Sequence, residues 1–70
     1  MTTTEMLRHL LGFVEESSEK TLHIFQDDAT KAYHIKAYCG SQVVWSHWGY
    51  SLDEAIHKAY IDQGKADEHQ

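Results

Sequence analysis

The sequence predicts an α+β fold: a three-stranded antiparallel meander with an N-terminal and a C-terminal helix, both on one face of the sheet. Three observations lead there. An apolar stripe at helical spacing opens the chain, three short β-rich runs separated by turn residues occupy its middle, and a serine-capped amphipathic stretch closes it. Seventy residues make one domain, expected over 1–64 with a frayed polar tail over 65–70.

Met6, Leu7, Leu10, Leu11, Phe13 and Val14 recur at helical spacing, with Glu5, Arg8, His9, Glu15 and Glu16 opposite. A helix from about Thr4 to Ser17 follows; Thr2 with Glu5 offers a capping box at its start, and Thr3 or Thr4 could serve as cap instead. Thr21–Gln26, Ala32–Cys39 and Gln42–Trp48 read as strands. Asp27 to Thr30 forms the first hairpin loop, and Gly40-Ser41 forms a two-residue type II′ turn in which glycine accepts the positive φ. Ser51 and Glu54 make a second capping box, opening a helix from Leu52 to about Gln63 that Gly64 would stop.

Both loops taken literally set a register. Leu22 then opposes Ile35, Ile24 opposes Tyr33, Ala37 opposes Val44, Ile35 opposes Ser46 and Tyr33 opposes Trp48. One face of the sheet collects Leu22, Ile24, Tyr33, Ile35, Ala37, Val44 and Trp48 as a core for the helices. The other collects Thr21, His23, Phe25, His34, Lys36, Tyr38, Val43, Trp45 and His47.

A chain of this length buries roughly 60% of the surface its unfolded form exposes, which leaves little depth for a catalytic cleft. The expectation is therefore no enzyme and no cofactor. A formal charge of −5 counts against a nucleic-acid backbone as partner. The N-terminus lacks a basic leader region, the apolar runs are short, and the single Cys39 makes no internal disulfide, so a soluble cytoplasmic protein without membrane contact is expected.

The outer face carries the candidate chemistry. Trp45, Tyr38, Phe25 and Val43, flanked by Lys36, form an aromatic patch of the kind enriched at protein interfaces. The partner would be another protein or a second copy of the chain, with Trp45 and Tyr38 as anchors and Trp48 structural. In the same register His23, His34 and His47 lie side by side, so a metal-binding protein built on that histidine row is the alternative. No carboxylate stands nearby to support such a site, and metal is not expected.

The element order resembles the double-stranded RNA-binding domain, but Asp53-Glu54 stands where that family places phosphate-holding lysines. The segment Gly49-Tyr50-Ser51-Leu52-Asp53-Glu54-Ala55 resembles the strand-to-helix passage of HicB-type antitoxins and of small phage-encoded inhibitors. That resemblance implies a small regulator or inhibitor, phage or mobile-element encoded, that acts by covering a partner's surface.

Overall fold

The computed structural model describes residues 2–68, with side chains to residue 63. Its elements follow the order α1 (Thr3–Glu15), β1 (Lys20–Gln26), β2 (Tyr33–Cys39), β3 (Gln42–Gly49) and α2 (Leu52–Glu68). The sheet is antiparallel, in the order β1-β2-β3.

Each helix starts where a hydroxyl takes up an orphan amide. At α1 the full capping box forms: the Glu5 amide donates to Thr2 Oγ1 at 3.2 Å, and the Thr2 amide donates to Glu5 Oε1 at 3.4 Å. At α2 only half of it forms. The Glu54 amide donates to Ser51 Oγ at 3.1 Å, but the Glu54 carboxylate turns outward to Lys58, one turn further along, at 3.1 Å. The C-terminal helix does not stop at Gly64 but runs to Glu68. Glycine permits a left-handed stop without requiring one, and it costs a helix only about 1 kcal/mol relative to alanine. Of the expected tail, 69 and 70 lie outside the described residues.

Both hairpins depart from the expected register, by different amounts and with different consequences. The first loop runs on to Ala32, because the Asp27 side chain gathers its own turn. Asp27 Oδ1 accepts the amides of Ala29 (2.8 Å) and Thr30 (3.2 Å), the Lys31 amide donates to the Asp27 carbonyl (2.8 Å), and Lys31 takes the left-handed conformation at φ 64°. Leu22 consequently faces Ala37, and Ile24 faces Ile35. An even shift leaves every side chain on its expected face.

The second hairpin keeps its two-residue turn, with Cys39 opposite Gln42 and Gly40 at φ 62°. A β-bulge follows at once. Tyr38 pairs with Val43 but Ala37 pairs with Trp45, so Val44 is the extra residue. From there an odd shift reverses the strand. Ile35 faces His47 and His34 faces Trp48, which corrects the expected pairing of Ala37 with Val44, of Ile35 with Ser46 and of Tyr33 with Trp48.

The core follows from this. Leu10 of α1 and Ala55, Ile56 and Ala59 of α2 pack with Ile35, Ala37 and Trp45, all on one side of the sheet, and Met6, Leu7, Phe13, Leu22 and Tyr33 border the cluster. Trp45 is only 9% exposed. Its ring lies 6.4 Å from that of Phe13, centroid to centroid. Both helices contribute to this cluster, with α2 lying over β3 and β2 and α1 over α2 and β1.

Candidate functional site: the open face of the sheet

With both helices on one side, the other face of the sheet carries the side chains of Thr21, His23 and Phe25 from β1, His34, Lys36 and Tyr38 from β2, and Val43, Ser46 and Trp48 from β3. Of the five expected partner-binding residues, Tyr38, Phe25, Lys36 and Val43 lie here. Trp45 does not. The bulge at Val44 turns it into the core and brings Trp48 outward, 46% exposed, in its place. The expected positions of the two tryptophans are exchanged.

The aromatic groups on this face are organised in contact with one another. Phe25 (44% exposed) stacks on His34, with ring centroids 5.0 Å apart and planes within 7°. Lys36 places its ammonium 5.7 Å from the Phe25 ring centre. His23 meets Tyr38 edge to face at 4.8 Å. At the β3 end, Trp48 meets Tyr50 edge to face at 5.3 Å, and Lys58 reaches round from α2 to lie 5.1 Å from the Trp48 ring. Tyr50 itself is 74% exposed. A shallow depression of about 240 Å³ opens between Trp48, Tyr50, His34 and the Asp27–Ala32 loop.

In the sequence Tyr50 belongs to the passage between strand and helix. The missed signal is its position two residues after Trp48, which on an extended chain returns a side chain to the same face.

The sheet also separates charge. None of the residues in β1, β2 or β3 is acidic, so every carboxylate behind the net charge of −5 lies in a helix, a loop or a terminal segment. The open face carries Lys36 and the imidazoles of His23 and His34 among its aromatics. It is the non-acidic side of an acidic molecule.

The histidine row does not form. His23 pairs with Lys36, His34 lies between Phe25 and Trp48 in the sheet, and the bulge sends His47 to the helix side. There His47 Nε2 lies 3.4 Å from an Asp62 carboxylate oxygen, an ion pair when the imidazole is protonated. Cys39 is a half-buried free thiol at the second hairpin. Asp27 has a displaced pKa. The Thr30 and Ala29 amides that it accepts hold its carboxyl below the ordinary 3.8, and His34 adds a smaller pull in the same direction. Among the described residues, no helix is long and apolar enough to cross a membrane.

No protein-family model, curated protein or solved structure matches this chain.

Proposed function

We propose that this chain is a non-enzymatic protein-binding module that presents the open face of its sheet to another protein. The observation that carries the reading is the contiguous run of exposed aromatics, Phe25, Trp48 and Tyr50, on the face that neither helix covers. Stacked and cation-bound rings are held in place before any partner arrives, so little side-chain entropy is lost on docking. Tryptophan and tyrosine are the side chains that most often dominate interface energetics.

The charge separation narrows the partner. A surface apolar at its centre and carrying carboxylates near Lys36 and the two histidines complements this face, whereas a polyanion as large as nucleic acid meets the net charge of the whole chain. The action would be occlusion: the module covers a surface that the partner needs. A role as a small intracellular regulator or inhibitor of phage or mobile-element origin is supported by the chain's size and by the likeness of Gly49–Ala55 to the antitoxin and phage-inhibitor segment.

Affinity capture from the source cell with the wild-type chain, with Trp48→Ala and with the helix-side variant His57→Ala tests the proposal. The same specific partner should be retained by wild type and by His57→Ala, and lost or weakened by about 2 kcal/mol with Trp48→Ala. Equal capture by all three chains would place the interface elsewhere.

A further inference from the structure

The two edges of the sheet are treated differently. The β3 edge is interrupted by the bulge at Val44, a common device that keeps an edge strand from pairing with other chains. The β1 edge has no such protection. Its ladder with β2 is continuous from Lys20 to Gln26, without bulge or proline, and its one formally charged residue is Lys20.

The hydrogen bonds at the two ends of that ladder show which backbone groups are free. The Gly40 amide donates to the Glu19 carbonyl, and the Asp27 amide donates to the Ala32 carbonyl. Glu19 and Asp27 therefore point their main-chain groups at β2, and by alternation so do Thr21, His23 and Phe25. Leu22 and Ile24 point theirs at the open edge. Ile24 is also 42% exposed on the helix side, although α1 packs against β1. An apolar side chain and the outward amides and carbonyls of two residues, unpaired among the described residues, thus stand at one place.

We propose that β1 pairs antiparallel with β1 of a second copy, joining two three-stranded sheets into one six-stranded sheet. The strand is self-complementary about His23. In that register Leu22 and Ile24 exchange main-chain hydrogen bonds with Ile24 and Leu22 of the second copy, and their side chains cover one another on the helix side. Lys20 falls opposite Gln26, so the strands meet without like charges along their length. At the ends Glu19 approaches Asp27 of the second copy, whose carboxylate is already folded into its own loop. A neutral-to-basic strand is where two chains of net charge −5 can approach with least repulsion. The proposal concerns the edge and not the open face; it lays the two aromatic faces side by side but does not depend on what they bind.

Sedimentation equilibrium of the full chain from about 10 µM to about 500 µM, a range in which mass action reveals a weak dimer, tests it. The mass should rise toward twice 8.1 kDa with concentration. Ile24→Pro removes an outward amide and no bond to β2, a change edge strands accept. It should raise the dimer dissociation constant roughly 10-fold or more, because the two-fold axis doubles the lost bond. Trp48→Ala should leave association unchanged. Should Ile24→Pro unfold the chain, His23→Cys in a Cys39→Ser background decides instead. The two His23 positions would form a non-hydrogen-bonded pair about 4.5 Å apart, within disulfide reach, and mild oxidation should link the dimer. A monomer at every concentration, a dimer that survives Ile24→Pro in a folded chain, or no cross-link would each overturn the proposal, as would dissociation by Trp48→Ala alone.

Discussion

A methyl group added at Gly12 would meet nothing within 4 Å, whereas one added at Gly49 would come within 2.8 Å of the Ala55 nitrogen and of Glu54 Cβ. The first glycine sits in the middle of α1 and only weakens it. The second lets the end of β3 approach the first turn of α2, and it is buried there. Gly12→Ala should therefore stabilise the fold by about 0.5–1 kcal/mol, and Gly49→Ala should destabilise it by about 1–3 kcal/mol through overpacking. Paired urea melts would measure both, and a Gly49→Ala variant as stable as wild type would refute the close approach. Helix weakening at Gly12 can be read from sequence alone. Gly49 looks there like an ordinary turn glycine, because the contact that matters comes from the helix packed against it.

Among the elements, the first hairpin loop is held by one carboxylate. Asp27 has its pKa depressed by the Thr30 and Ala29 amides, so its contribution is fully present above the ordinary 3.8 and is lost as pH falls through the lower folded-state value. Asp27→Ala should lower the melting temperature at about pH 7, and the gap to wild type should narrow as pH falls below the ordinary 3.8 and the wild-type carboxyl protonates. Asp27→Asn keeps an acceptor and should lose the pH dependence more than the stability. A gap that stayed constant across the range would show that the carboxylate does not organise the loop. The helices were legible because their signals are local: a threonine or serine cap and an apolar stripe. Strand register was not. Val43 to Trp48 holds large strand-forming residues on both alternations, so Val44 with Trp48 reads as a core side as readily as Trp45 with His47. The bulge at Val44 decides between them, and no glycine marks it. Asp27 could have been read as a loop-forming acceptor, but the left-handed Lys31 that lengthens the loop carries no residue signature.

Across the whole molecule, the helices and the sheet divide the work. The helices bury one face and carry much of the negative charge, while the sheet leaves its other face aromatic and non-acidic. That such a face exists was legible from composition and alternation, and four of its five expected residues are there. Which tryptophan it carries was not, and the functional reading depends on that exchange. The most direct measurement is acrylamide quenching of two single-tryptophan variants, Trp48→Phe and Trp45→Phe. The tryptophan that remains in Trp48→Phe, 9% exposed in the fold, should emit to the blue and resist the quencher; the one that remains in Trp45→Phe, 46% exposed, should be readily quenched. The opposite order would contradict the bulge, return Trp45 to the open face and remove Trp48 as the anchor of the proposed interface.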